Sequence, residues 1–185
     1  MAAGGNSANI QLGAGRLYVA PIGTTEPTTA SAALPSAWRA VGYTEDGTTV
    51  SVELTNEPIE VAEEYDPVLY VLSSRSASVA VQMAEVNRRN LALAMGVGAN
   101  EANDETTFEP PAPGDEVAVM LCWDSEDAAG TSNVRWLFRQ AKVNGSVEIT
   151  RNKAPNKAML PVTWNLEKPS ASQPFKVFPN TSGEV

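Results

Sequence analysis

A period of two runs through most of this chain. In TTVSVELT, Val50, Val52 and Leu54 fall on one side and Ser51, Glu53 and Thr55 on the other. That is the pattern of a strand with one covered face, because successive side chains of an extended backbone point to opposite faces. It returns in SASVAVQMAE through Val79, Val81 and Met83, and in EVAVMLCWD through Val117, Val119, Leu121 and Trp123. NVRWLFRQAKV sets Val134, Trp136 and Phe138 against outward Arg135 and Arg139, and MLPVTWNLEK aligns Leu160, Val162, Trp164 and Leu166. GRLYVAPIG and SAWRAVGYT are two further candidate strands, separated by TTEPTTASAALPS, whose Thr, Ala and Pro content predicts an exposed loop.

Turn chemistry sets the connections. Asn144-Gly145 is the strongest short hairpin signal, and Asp124 to Gly130 carries turn residues between two strands, so the C-terminal half reads as an antiparallel meander. Glu45-Asp46-Gly47 lacks the later ligands of a calcium loop and reads as a hairpin turn. Only NRRNLALAMG, about residues 87–96, reads as helix, with Asn87 as its cap, Leu91, Ala94 and Met95 as its apolar face and Gly96 as its stop. So short a helix must dock on a sheet. At 185 residues the chain can bury one core. The expected fold is all-β, a β-sandwich or barrel with one short flanking α-helix, as a single domain over residues 1–185.

Several chemistries lack their usual residues. The chain has no His, which removes the common general base, the common zinc ligand and every Ser-His or Cys-His pair. Cys122 is alone, so no internal disulfide forms, and its apolar run predicts a buried thiol. Gly13-Ala14-Gly15 has neither the preceding strand nor the following Gly-Lys-Ser/Thr of a phosphate cradle. Nothing in the chain implies a cofactor or a metal. MAAGGNSANIQLGAG resembles no secretory signal and no run approaches membrane-spanning length, so a soluble protein without a membrane partner is expected.

Charge is unevenly spread along the chain. The net charge is -9, yet no basic residue lies between Arg39 and Arg75, where VELTNEPIEVAEEYD alone holds Glu53, Glu57, Glu60, Glu63, Glu64 and Asp66. If this stretch is extended, Glu63 and Glu64 face opposite ways while Glu60, Glu64 and Asp66 can share a face, a weak basis for paired-carboxylate catalysis. From Arg135 onward the sign reverses, through Arg135, Arg139, Lys142, Arg151, Lys153 and Lys157. Acidic and basic thirds of one chain can face each other between copies, which steers assembly and fixes register.

Residues 13 to 96 carry a resemblance. The opening GRLYVAPIGT, the turn WRAVGYTEDG, the Ser- and Thr-rich strand, the long loop punctuated by Glu and Pro, and the helix entrance EVNRRNL resemble the major tail protein, or tail tube protein, of long-tailed bacteriophages, particularly those infecting actinobacteria. The remainder agrees only in its strand pattern. The resemblance implies a β-sandwich with a flanking helix, no enzymatic activity, and six-membered rings stacked into a hollow tube. It also implies a tape-measure protein in the lumen, tail terminator and tip proteins at the ends, and double-stranded DNA that passes without tight binding. The location would be the virion tail, assembled in the host cytoplasm.

Under that resemblance the six acids either line the lumen, where they repel phosphate, or drape as a long loop across a neighbour; the sequence leaves both open. Residues 1–14 would be a flexible arm ordered on assembly. Two other readings share the composition. One is another phage ring protein, such as a tail terminator, head-tail adaptor or decoration protein. The other is a carbohydrate-binding module, which needs a platform of exposed aromatics from among Trp38, Tyr43, Tyr65 and Tyr70.

Overall fold

A computed structural model describes residues 15–99, 109–126, 133–149 and 157–179. The elements are β1 (Arg16–Pro21), β2 (Arg39–Ala40), β3 (Thr44–Ile59), β4 (Leu69–Met83), α1 (Arg88–Ala94), β5 (Val119–Glu126), β6 (Asn133–Asn144), β7 (Leu160–Leu166) and β8 (Phe175–Phe178). They form one antiparallel sheet in the order β2-β1-β5-β6-β7-β4-β3. Strand β6 forks its outer edge: Arg135–Phe138 pair with β8, and Ala141–Asn144 pair with β7.

The two ends of this order are joined by only Val41, Gly42 and Tyr43. Four peptide units reach about 14 Å at most, so the sheet must curl until β2 and β3 are neighbours. The joining segment is hydrogen-bonded on both sides, with the Val41 N–H donating to the Leu17 carbonyl at 2.9 Å and the Ala84 N–H to the Tyr43 carbonyl at 2.9 Å. The result is barrel-like, as the alternation predicts. Gly42 sits at φ +100°, a backbone state that side chains disfavour, and a Cβ there would collide with the Glu85 carboxylate.

Most of the alternating residues divide as expected, but Val52, Leu54 and Val117 are exposed because no other strand or segment covers them within the described residues. Leu17, Val19, Val79, Val81, Met83, Val119, Leu121, Phe138, Leu160, Val162 and Trp164 fill the interior, with Trp123 and Trp136 packed against them. The opposite faces of β1, β5 and β6 are covered as well. Ala20, Met120, Cys122 and Leu137 pack there with Trp38, Phe178 and, from the Thr- and Pro-rich connection, Ala30 and Leu34. That connection therefore lies on the sheet and is not an open loop, and the Arg135 that alternation points outward ends beneath it.

Helix α1 forms where the sequence places it. The Asn87 side chain accepts from the Asn90 N–H at 2.9 Å, and Gly96 at φ +78° ends the segment. Its buried face is Asn90, Ala92, Leu93 and Ala94, so Leu91 is only partly buried and Met95 is exposed. The rotation follows from Asn90, whose amide donates to the Val41 and Glu85 carbonyls at 2.8 and 2.9 Å and so ties the helix to the barrel closure.

Three local readings change. Asp46 and Gly47, at φ 54° and 77°, are extra residues inside β3 between the pairs Glu45↔Gln82 and Thr48↔Val81, a bulge and not a hairpin turn. Asn144-Gly145 begins a connection of residues 145–159 and not a two-residue hairpin, although β6 and β7 do pair antiparallel. The acidic segment is strand over much of its length: β3 runs to Ile59 and β4 starts at Leu69, one long hairpin with residues 60–68 as its tip. The expected arm at residues 1–14 lies outside the described residues.

Candidate functional site: an acidic hairpin arm

Strand β4 pairs with β7 only over Ser78–Met83, and beyond that limit β3 and β4 pair only with each other among the described residues, with the Arg75 guanidinium near the base donating to Gln173 Oε1 at 2.9 Å. From Ser51 to Ser76 every residue except Pro67 is exposed. Nine residues of β3, Ser51 to Ile59, carry the ribbon about 27 Å beyond its base. Pro58 is tolerated because β3 is the edge strand of the sheet among the described residues. At the tip the Val68 N–H closes on the Ile59 carbonyl at 3.0 Å.

Register decides what each face of the arm carries. Directly paired residues share a face, so Val50 and Val79 of the core are followed outward by Val52↔Ala77 and Leu54↔Arg75. The other face begins with Ser51↔Ser78, Glu53↔Ser76 and Thr55↔Ser74. Ser73 is then an extra residue on β4, its hydroxyl donating to the Thr55 carbonyl at 3.2 Å. Beyond this second bulge Asn56↔Leu72 and Pro58↔Tyr70 continue the first face, and Glu57↔Val71 and Ile59↔Leu69 the second.

The interior apolar stripe of the barrel thus runs off its end onto the arm, interrupted by Arg75 and Asn56, and near the tip both faces are largely apolar. Ten of the 15 exposed large hydrophobic residues among those described are on this arm, including Leu54 at 60% and Tyr70 at 63% exposure. A two-stranded ribbon is marginal in water by itself. Such a concentration of uncovered apolar side chains marks a surface that another molecule covers.

All six acids named from the sequence are on this arm. Glu53 and Glu57 stand on β3, while Glu60, Glu63, Glu64 and Asp66 are in the tip between the strands, so Glu60, Glu64 and Asp66 do not form a strand face. Glu53 accepts weakly from the Ser76 hydroxyl at 3.4 Å, and none of the six is in an ion pair among the described residues. Among those residues no group of three or more His, Cys, Asp or Glu could hold a metal ion.

The basic residues behave differently. Arg135, 4% exposed, forks onto Asp124 through Nε–Oδ1 at 2.5 Å and Nη2–Oδ2 at 2.7 Å, and donates to the Thr29 and Ala32 carbonyls. The bond to Asp124 raises its pKa above the ordinary guanidinium value. Arg139 holds Glu26 at 2.6 and 3.1 Å, and that hydrogen bond lowers the Glu26 pKa below the usual carboxylate value. Lys142 meets Glu116 at 3.3 Å and Lys157 meets Glu45. Each of these four is thus engaged by an acid of its own chain that is not one of the arm's six. Arg151 and Lys153 lie outside the described residues.

Trp38 is buried at 7% exposure, its indole N–H donating to the Thr25 carbonyl at 3.2 Å, so it cannot join an aromatic platform. Tyr43 pairs with Ala84 at the base of the hairpin, about 45 Å of strand from Tyr70. The exposed tyrosines are therefore split between two ends. Cys122 is buried, and desolvation foremost, then Asp124, pushes its thiol up to about 12, which leaves it unreactive.

One feature of the surface was not apparent from the sequence. A groove of about 400 Å³ is lined by Arg39, Ala40, Val41, Glu85, Asn87, Arg88 and Arg89. Desolvation foremost, and then Arg89 nearby, lower the Arg39 pKa below its ordinary value. The signal was present as Arg88-Arg89, but Arg39 reaches them only through the fold.

Against this geometry, a family model described as phage tail tube protein matches residues 2–181. No curated protein matches the chain. Among solved structures, a chain of the cryo-EM structure of the anti-feeding prophage baseplate, 6-fold symmetrised, is similar at 11% identity and a TM-score of 0.48. That alignment covers 91% of this chain and 95% of the other.

Proposed function

Because the chain belongs to the phage tail tube protein family, we propose that it is the repeating subunit of the tube itself. Six copies join into a ring, rings stack into a hollow tube, and double-stranded DNA passes through the bore without being held. The subunit is structural and performs no catalysis. The observation that supports this reading is the projecting arm, whose apolar stripe continues the barrel interior and has no cover within the subunit.

The arm lies across a neighbouring copy, which buries that stripe and completes the ribbon's open edge. Its six acids serve this contact first. With a net charge of -9, the assembled wall also repels phosphate and lets the genome slide. Lys142 and Lys157, each partly exposed, add positive charge at the surface beside their own acids, and Arg151 and Lys153 extend it in sequence. A tape-measure protein fills the bore during growth in the host cytoplasm, and terminator and tip proteins close the ends. An actinobacterial host follows from the resemblance of residues 13 to 96.

Negative-stain electron microscopy of the purified chain over a concentration series, with light-scattering mass, tests the reading. Hollow tubes or six-fold rings are expected. A monomer that persists to the highest soluble concentration counts against it.

A further inference from the structure

Asn144-Gly145 is the one Asn-Gly pair in the chain. Asn144 is the last residue of β6, where the pairings to β5 and β8 have already ended and only Thr163 of β7 stands opposite. A strand end paired on one side frays more readily than the sheet behind it.

Both groups that can react with each other here are unengaged. The Asn144 side chain is exposed and makes no hydrogen bond among the described residues. The Gly145 N–H donates to no carbonyl among them. Gly145 sits at φ +101°, in the left-handed region that side chains disfavour, and a Cβ there would have nothing within 4 Å. The turn off β6 thus asks for glycine, and glycine leaves the backbone nitrogen without steric cover.

Other asparagines differ on these points. Asn56 and Asn165 are exposed too, but Glu57 and Leu166 follow them, and each is held in a ladder, Asn56 opposite Leu72 and Asn165 between Ser78 and Lys142. Asn87 and Asn90 have their side chains bound at the helix.

We propose that Asn144 is a self-modifying site, converting to aspartate and isoaspartate through a succinimide closed by the Gly145 nitrogen. That nitrogen gives up its proton and bonds to Asn144 Cγ. The bond from Cγ to the side-chain nitrogen breaks, and this nitrogen leaves with the proton as ammonia. Water then opens the five-membered ring. Attack at Cγ restores the main chain with a carboxylate at 144, and attack at the other carbonyl routes the main chain through the former side chain.

Only water is consumed, so the product accumulates with the age of the subunit. Either product places a negative charge on the face of Lys142, two residues back, where Glu116 already lies at 3.3 Å. The isoaspartyl form also lengthens the main chain at the final β6–β7 pair. Nothing in this chemistry depends on the tube reading.

Prolonged warm incubation of the folded, full-length protein at neutral and at mildly alkaline pH, followed by peptide mass mapping, tests it. The peptide holding Asn144 should gain about one dalton and split into aspartyl and isoaspartyl forms, faster at the alkaline pH, before the peptides with Asn56 and Asn165 change. Asn144→Gln should remove the gain, because its longer side chain closes a larger ring more slowly; a gain that persists there overturns the proposal. Parallel incubation in urea gives the rate of the unfolded chain. A folded rate within about a hundredfold of it, roughly 2.7 kcal/mol of added barrier, is expected. A slower one shows that the strand end holds Asn144 out of reaction and overturns the proposal, as does earlier conversion of Asn56 or Asn165.

Discussion

The barrel and its arm are built from the same two strands under opposite rules. In β4, Val79, Val81 and Met83 are buried, while Leu69 through Ser76 of the same strand are exposed throughout. The barrel half gains its stability within the subunit, from side chains that meet across a closed sheet. The arm half has the same alternation and nothing to bury it against. Strand geometry alone therefore does not say whether a residue supports folding or association; its place relative to the last cross-sheet neighbour, here Ser78, does.

The sharpest way to break this contrast is to remove one side of it. Replacing residues 52–77 by a two-residue turn should leave the barrel's thermal midpoint within a few degrees of wild type and abolish tubes in electron micrographs. A barrel that unfolds on this deletion would show the arm to be part of the folding unit. On the other side, Phe138→Ala should lower stability by about 3–5 kcal/mol in urea titration, as expected for a large core deletion. Leu54→Ala should change monomer stability by less than about 0.5 kcal/mol, because its side chain has no intrachain cover.

Asn90→Ala falls between these, at about 2–3 kcal/mol, since it leaves the Val41 and Glu85 carbonyls and Arg39 without their partner. The smallest effect concerns pH. Glu26 has its folded pKa lowered from 4.5 by Arg139, so its contribution is complete above about pH 4.5 and is lost as pH falls through the lower folded value. Glu26→Gln should therefore narrow the gap to wild type progressively below pH 4.5, measured by urea midpoints across the acid range.

The alternating runs of β1, β5, β6 and β7 were legible because a barrel covers one face of each strand and leaves the pattern intact. So were the cap at Asn87 and the stop at Gly96, which depend on neighbours within one turn. The arm was hidden for a physical reason. Its outer half is largely apolar on both faces, and a bulge at Ser73 shifts the alternation by one, so no single period spans Leu69 to Met83. Strand β8 is only four residues long, and the cover over Arg135 depends on a segment some 100 residues earlier in the chain. Nothing local in RWLFR distinguishes an arginine beneath a loop from one in water.

The two bulges give the arm a direction as well as a register. Each inserts residues on one strand only, Asp46 and Gly47 near the foot and Ser73 near mid-length, and such insertions bend and twist a ribbon locally. A ribbon of about 27 Å acts as a lever: tilting its foot by about 10° swings the outer end by roughly 5 Å. If the arm bridges copies as proposed, their spacing answers to the backbone angles of three residues, Asp46, Gly47 and Ser73, in each one.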